Sequence, residues 1–318
     1  MMNDVTSCKV AVLAGGWSDE REVSLNSGRE VRAALHAAGF DMVDLLDIAA
    51  DDFVLTMARE RYDVAFLALH GEYGEDGCVQ GMLEVLHVPY TFSGVLASSM
   101  AMEKDVTKLV YQSAGIPVAK GVTIEYGHVP TSAELDEIVQ QLGLPLFVKP
   151  TRNGSSYGVT RVAQADQLAE AIDTAAQKGG HVLIEAAVAG TEITVPVLGN
   201  QDPTALPVVE IVTGAEFYDI KVKYEPSELH HRIPARISEE SYALAQRYAI
   251  AAHRALGCKG CSRSDFIVKE DGTPVILETN TIPGMTSASL LPDSARHGGI
   301  EFPELCKRFV ELALEDKR

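Results

Sequence analysis

Positive charge is scarce in this chain: 27 Lys and Arg stand against 45 Asp and Glu, a net charge of −18. That shortage argues against nucleic acid or an anionic membrane as partner, because both are held by cations. It leaves room for a small polyphosphate, which needs only a few local lysines. Apolar runs long enough to span a bilayer are missing. The opening residues, Met1-Met2-Asn3-Asp4, lack the basic lead and apolar core of a signal peptide. The five cysteines (Cys8, Cys78, Cys258, Cys261, Cys306) are odd in number and scattered, which suits a reducing, cytoplasmic setting. Zinc needs a second pair or paired histidines near a C-x-x-C. Cys258-Lys259-Gly260-Cys261 has neither, and reads as ordinary residues leading into a strand. Neither G-x-G-x-x-G nor G-x-x-x-x-G-K-[ST] occurs, which disfavours a Rossmann dinucleotide site and a Walker P-loop. Internal repeats and low-complexity segments are also absent.

What is present is a soluble-enzyme pattern of alternating strands and helices. With 318 residues and 46% hydrophobic content, two or three domains can each bury a core. Lys9 to Ala14 reads as a strand, with Ser24 as N-cap of a helix carrying Val31 and Leu35 and ending at Gly39. Val64 to Leu69 reads as a second buried strand ending at His70. These place an open α/β domain at residues 1–103, with binding loops after Ala14 and Leu69. A central unit at 104–187 begins with a helix around Thr107 to Ser113. It carries strands at Phe147 to Lys149 and Val182 to Glu185. The remainder, 188–318, is strand-rich and more α+β in character. It closes with a helix bearing Phe302, Leu305, Phe309 and Leu312 at helical spacing.

The sharpest chemical signal is a hairpin. Asp271-Gly272 is a strong two-residue turn signal, and Asp265 to Val268 and Pro274 to Leu277 read as its strands. Counting outward from that turn, Asp265 faces Glu278 and Arg263 faces Asn280. Residues two apart share a face, so all four polar groups gather together. Opposed carboxylates ~5 Å apart repel unless a cation lies between them. Two carboxylates and an amide oxygen are hard ligands of the kind Mg²⁺ takes beside substrate phosphates. The plain alternative is a solvent-facing charged hairpin.

Other segments add to this. Lys149 ends an apolar strand and is followed by a Gly/Ser loop through Val159, whose backbone N–H groups could cradle phosphate. His70 to Gly77 carries three glycines and three acids at a strand end, as a binding loop or an acidic surface turn. Gly15 to Ser24 places a carboxylate near a helix start, where it could bind an ammonium or simply favour the helix dipole. The polar stretch from Tyr218 through His231 lacks apolar periodicity and reads as a loop that could cover a site.

In order, the chain shows GGxSxEREVS (Gly15 to Ser24), HGxxGEDG (His70 to Gly77), KPxxxGSSxGV (Lys149 to Val159), KY (Lys223-Tyr224), RxD (Arg263 to Asp265) and ExNxxPGMTxxS (Glu278 to Ser289). Taken together, these motifs resemble those of the D-alanine–D-alanine ligases of the ATP-grasp superfamily, from Lys9 to about Val310. The resemblance implies a three-domain ATP-grasp fold and a dipeptide-forming, ADP-forming ligase of peptidoglycan precursor synthesis. It implies ATP, two Mg²⁺ ions that Mn²⁺ could replace, two D-alanines as substrates, and a homodimer. Lys104, Lys149 and Ser156 would bind phosphates, while Glu185, Ala186, Val188, Glu192, Phe217 and Lys223 would hold the rest of the nucleotide. Asp265, Glu278 and Asn280 would be the metal ligands. Glu20, with Val23 and His70 nearby, would hold the first D-alanine, linked through Ser155 and Tyr224 to the covering loop. Arg263 and the Gly284 N–H would face the developing oxyanion, and Ser289 with Leu290 the second carboxylate.

Three departures from the family pattern stand out: Lys221 in place of an acid, Ala186-Ala187 where a lysine and an aromatic are common, and His230-His231-Arg232. Two rivals remain at this level: a D-alanine–D-lactate ester-forming relative and a non-catalytic nucleotide-binding regulator. Ester-forming relatives commonly lack the tyrosine matching Tyr224. The expected outcome is therefore that Tyr224→Phe admits D-lactate as acceptor, measured as the ester-to-dipeptide ratio with mixed acceptors. An unchanged ratio would refute the role given to that hydroxyl.

Overall fold

Three sheets carry the chain in this computed structural model, which describes residues 4–152, 158–212 and 231–315. The first is parallel, with β1 (Val10–Ala14) between β2 (Val43–Asp47) and β3 (Val64–Leu67). All five β1 residues are buried, as expected of a parallel strand covered on both faces. The helix α1 (Arg21–Ala37) lies directly on this sheet because Gly28 has no side chain. A Cβ there would stand 2.6 Å from the Ala14 Cβ. Next come α2 (Phe53–Glu60), α3 (Cys78–Val85), α4 (Val95–Met102) and α5 (Lys104–Ser113).

The second sheet has the order β4-β7-β5-β6: β4 (Gly121–Ile124), β5 (Leu146–Pro150), β6 (Thr160–Val162) and β7 (Val182–Ala186). The helices α6 (Ser132–Leu142) and α7 (Leu168–Ala176) fill its core with Ile138, Leu168 and Ile172. Thr131 and Glu134 form a reciprocal capping box that fixes the start of α6.

The third sheet is antiparallel. Its order is β11-β10-β8-β12-β13, with β9 beside β8. The strands are β8 (Thr191–Leu198), β9 (Thr204–Ala205), β10 (Val209–Ile211), β11 (His231–Arg232), β12 (Cys261–Val268) and β13 (Pro274–Asn280). The helix α8 (Glu239–Leu256) packs on it through Ala245, Ala249 and Ala252, whose small side chains allow close approach. Two helices close the chain, α9 (Leu290–His297) and α10 (Phe302–Glu315). α10 returns to the first sheet, where Phe309 meets Phe92 at 4.8 Å between ring centroids and Phe66 at 6.1 Å.

Several local expectations need correction. Ser24 is not an N-cap: α1 begins at Arg21, and Ser24 is buried within it. Its hydroxyl accepts from Gly15 N (2.9 Å) and donates to the Ala68 carbonyl (2.6 Å), tying both N-terminal loops to one helix. The strand read as second is third, since β2 lies before it in the chain. The hairpin turn is not two residues long. Lys269 N donates to Thr273 O (3.0 Å) and Gly272 N to Lys269 O (2.9 Å). This closes a three-residue loop with Gly272 at φ +83°. Pairing near the turn is therefore shifted, and Phe266 faces Ile276. A bulge between Asp265 and Phe266 takes up Leu277 and restores the expected register: Asp265 faces Glu278 and Arg263 faces Asn280.

One buried group of this fold sets a pH dependence. His253 on α8 is 1% exposed, with its Nδ1 2.8 Å from the Ser262 hydroxyl. Burial pushes its pKa from 6.5 down to about 4. The folded form keeps the ring neutral, whereas the unfolded chain protonates below its ordinary value. Stability should thus fall as pH drops from about 6.5 to about 4, by ~2–3 kcal/mol in total. Urea unfolding across that range should show this slope for the native sequence and a flatter one for His253→Asn.

Candidate active site

The alternation of β12 and β13 sorts two sets of side chains. Ser264 and Thr279 point into the core, where their hydroxyls lie 2.8 Å apart and Tyr111 of α5 donates to Thr279 Oγ1 at 2.7 Å. Arg263, Asp265, Glu278 and Asn280 share the other face and are only half-buried. There Arg263 grips Asp265 with two bonds of 3.0 Å each. Asn280 Nδ2 donates to Asp265 Oδ2 (3.2 Å), and Thr194 of β8 donates to Oδ1. Lys104, the first residue of α5, stands 3.6 Å from Glu278 Oε2. Charges this close together in a partly desolvated place must be paired. Arg263 and Lys104 supply that pairing.

Lys104 is brought here by backbone contacts. Its N–H donates to the Thr151 carbonyl (3.0 Å), and Glu103 bridges to Arg152 just beyond β5. Burial lowers the Lys104 pKa, helped by nearby Lys149 and opposed by Glu278 and Glu185. Burial acts the same way on Lys149, but the attraction of Glu185 and Glu278 outweighs it and the pKa rises. Glu185 is 6% exposed and sits between two ammonium groups, Lys149 and Lys108. Its own burial would raise its pKa, yet the two lysines hold it low. Lys108 was not singled out from sequence. A signal existed: Lys104 and Lys108 are one turn apart on α5 and share a face.

Beyond Glu185 the chain leaves β7. Ala186 N donates to the Lys120 carbonyl at 2.9 Å. Ala186 and Val188 line an open groove of about 820 Å³ between the end of β7 and the hairpin turn, with Val118, Lys120 and Val275. Lys149, Glu185 and Glu278 lie outside its lining. Glu192 is on β8, paired in register with Ile267.

The N-terminal loops complete the cleft. Glu20 precedes α1, Val23 is half-buried in its first turn, and Ser18 Oγ donates to the His70 carbonyl at 2.8 Å. A Cβ on Gly71 would lie 3.4 Å from the Glu20 carboxylate, so glycine there lets the two loops meet. His70 is buried, with Nε2 3.5 Å from Ser27 Oγ. Burial lowers its pKa, with Glu20 opposing and Arg263 assisting. Glu75, also not singled out, accepts from Gly71 N at 2.6 Å. Its pKa is raised to about 8, first by desolvation and then by Glu20, with Glu278 also contributing. Residues far apart in sequence thus feel one another's charge across one cleft.

Gly284 lies in the segment after β13, and Ser289 and Leu290 at the start of α9. A Cβ on Gly284 would come within 3.0 Å of Ser289 Oγ, which lies 2.7 Å from Thr286 Oγ1. Ser287 N donates to Glu30 of α1 at 2.6 Å, fastening this loop to the N-terminal region. Ser155, Ser156, Phe217, Lys223 and Tyr224 lie outside the described residues.

Comparisons with known proteins identify the family. A family profile described as "D-ala D-ala ligase C-terminus" matches residues 110–311, and one described as "D-ala D-ala ligase N-terminus" matches 50–93. The D-alanine–D-alanine ligase of Pelotomaculum thermopropionicum is 45% identical over 311 residues, covering 97% of each chain. That of Syntrophobacter fumaroxidans is 48% identical over 309 residues, covering 96% of this chain and 98% of the relative. This chain belongs to the D-alanine–D-alanine ligase family. Its fold is the ATP-grasp fold of that family. The Bacillus anthracis ligase, solved in complex with ATP, superposes with a TM-score of 0.84 at 32% identity, covering 98% of this chain and 99% of that one. The Coxiella burnetii ligase gives a TM-score of 0.83 at 28% identity, covering 98% and 96%.

Burial of the Glu75 carboxyl makes stability depend on pH. Its folded-state pKa is raised, so the folded protein keeps the carboxyl neutral over a range where the unfolded chain ionises. Stability is then lost as pH rises from about 4.5 toward about 8. Glu75→Gln removes that loss. The unliganded variant should melt above the native protein near pH 8 and alongside it near pH 4 by calorimetry.

Proposed function

We propose that this chain joins two D-alanines into D-alanyl-D-alanine, a peptidoglycan precursor, with conversion of ATP to ADP and phosphate. The observation that carries the reading is the opposed Asp265–Glu278 pair with Lys104 beside it. Arg263 beside it and Glu20 both act on the charge of His70, and Glu278 and Glu20 both act on that of Glu75. A carboxylate is a poor electrophile, so the first D-alanine must be activated. One of its carboxylate oxygens attacks the γ-phosphorus of ATP and ADP leaves, giving an acyl phosphate. The amine of the second D-alanine then attacks the acyl carbon, loses a proton, and phosphate departs with the bonding pair.

The residues divide this work by charge. Glu20 holds the ammonium of the first D-alanine, with Val23 and His70 beside it. Lys104 and Lys149 neutralise phosphoryl oxygens as transfer proceeds. Glu185, Ala186, Val188 and Glu192 face the nucleoside. Arg263 and the Gly284 N–H stabilise the oxyanion of the tetrahedral intermediate. Ser289 and the backbone at Leu290 take the second carboxylate at the start of α9, where helix N–H groups favour an anion. Ser155, Ser156, Phe217, Lys223 and Tyr224 are assigned to the covering segments by the motif match, and Tyr224 favours the dipeptide over the D-lactate ester.

Among the described residues, no three His, Cys, Asp or Glu side chains converge on one metal-sized point. The set here is two carboxylates and the Asn280 amide, all oxygen donors. That fits Mg²⁺, which retains waters and shares phosphate oxygens. When bound by Asp265, Glu278 and Asn280, Mg²⁺ would draw charge from the γ-phosphoryl oxygens. Two such ions, with Mn²⁺ as substitute, are part of this proposal.

No described helix is long and apolar enough to cross a membrane, and the use of ATP supports a cytoplasmic site of action. A homodimer through the N-terminal sheet and its helices is supported by exposed Leu55, Val85 and Leu96 there.

Mass spectrometry of products from ATP, Mg²⁺ and mixed D-amino and D-hydroxy acids should give D-alanyl-D-alanine and ADP. Nucleotide turnover without dipeptide, or ester as main product, would refute the reading. Glu278→Gln should lose activity by at least about a hundredfold at saturating Mg²⁺. A near-native rate would remove Glu278 from the site.

A further inference from the structure

Asp293 is a buried acid that the reaction above does not use. It lies in the first turn of α9, and its N–H donates to the Ser289 carbonyl at 3.0 Å. Its carboxylate is 10% exposed and is met from two elements. His231 of β11 places Nε2 2.6 Å from Oδ2. Arg296 of α9 pairs with Oδ1, and His297 Nδ1 stands 3.6 Å from the same oxygen. Burial alone would raise the Asp293 pKa, but the His231 hydrogen bond and the Arg296 and His297 charges hold it low.

The position of this cluster is what gives it meaning. Asp293 is four residues, about 6 Å of helical rise, from the N-cap residue Ser289. An unpaired carboxylate there would oppose any carboxylate ligand at the start of the helix, cancelling the attraction of its N–H groups. Other bonds also hold α9 and the loop before it. On one side Ser294 Oγ donates to the Pro207 carbonyl (2.6 Å), and Ser287 N holds Glu30 of α1 (2.6 Å). His231 is the tie to the edge strand β11, which pairs with β10 through His231–Ile211 and Arg232–Glu210.

We propose that His231 and Asp293 form a positioning clamp for the acceptor subsite. The clamp fixes the start of α9 against the edge of the third sheet and, with Arg296 on Oδ1, covers the carboxylate that would otherwise repel the acceptor's carboxylate. His231 touches no substrate; it acts through Asp293. The inference rests on the reading of Ser289 and Leu290 as the second D-alanine site. It also gives a place to His231, one of the residues by which this chain departs from the family pattern.

The test is a double-variant cycle of His231→Asn and Asp293→Asn in the full chain, read in two ways. The first is steady-state kinetics, with separate KM values for the two D-alanines. His231→Asn should raise the acceptor KM about tenfold and leave the donor KM and kcat within about twofold. Adding Asp293→Asn should bring the acceptor KM back to within about threefold of the native value, because the Oδ2 that lost its His231 partner, beside the Oδ1 that Arg296 still holds, is then no longer a carboxylate oxygen. A merely structural tie predicts the reverse, with the double variant no better than the single and both KM values drifting together. That outcome overturns the proposal. The second reading is urea unfolding of the unliganded proteins, which needs no catalysis. Non-additive stabilities support the pair, and strict additivity overturns it whatever the kinetics show. If the pair couples but the native chain forms no dipeptide, the acceptor-site reading fails, and the positioning role fails with it.

Discussion

A charge in a place shielded from water has to be matched, and that rule organises this cleft. Asp265 and Glu278 are forced together by strand pairing. Glu185 is forced into the second sheet's interior, and Lys104 against the hairpin by the backbone bond to Thr151. Each acid then stands against a cation: Asp265 against Arg263, Glu278 against Lys104, Glu185 against Lys108 and Lys149. The result is a set of opposed charges for which the proposed polyphosphate and metal would exchange as partners. Preorganised charge of this kind needs little rearrangement when the reaction begins.

The cleft is built by contacts that cross the whole chain. α5 belongs by sequence to the start of the central region, yet its Tyr111 anchors β13 from behind while Lys104 reaches the hairpin's other face. The loop after β13 reaches back to Glu30 on α1. The last helix, α10, lies on the first sheet through Phe309. Because N-terminal loops and C-terminal hairpin are tied this closely, Glu20 and Arg263 both act on His70 and Glu75.

Much of this was legible in the sequence where local rules suffice. Period-two alternation and the Asp271-Gly272 signal put Asp265 opposite Glu278. The pairing is right even though the turn is one residue longer than expected, because the bulge at Leu277 compensates. Other features escaped for physical reasons. β2 carries Asp at both positions 44 and 47, which breaks its apolar alternation. α4 is built of small and apolar residues with almost no polar face. Ser24 has the chemistry of a cap, but it is used inside a helix to bind two loops. Lys108 could have been found from its spacing to Lys104. The raised proton affinity of Glu75 could not, since it depends first on burial in the fold and then on the charge of Glu20.

The central claim is that Asp265 and Glu278 together hold a divalent ion against the nucleotide's phosphates. Electron–nuclear double resonance of Mn²⁺ with ADP bound to the full chain tests it most directly. The account predicts a tightly held ion with phosphorus hyperfine coupling, and loss of both binding and coupling when Asp265 and Glu278 are changed to amides. Mn²⁺ that binds without phosphorus coupling, or with coupling indifferent to those two substitutions, would contradict it.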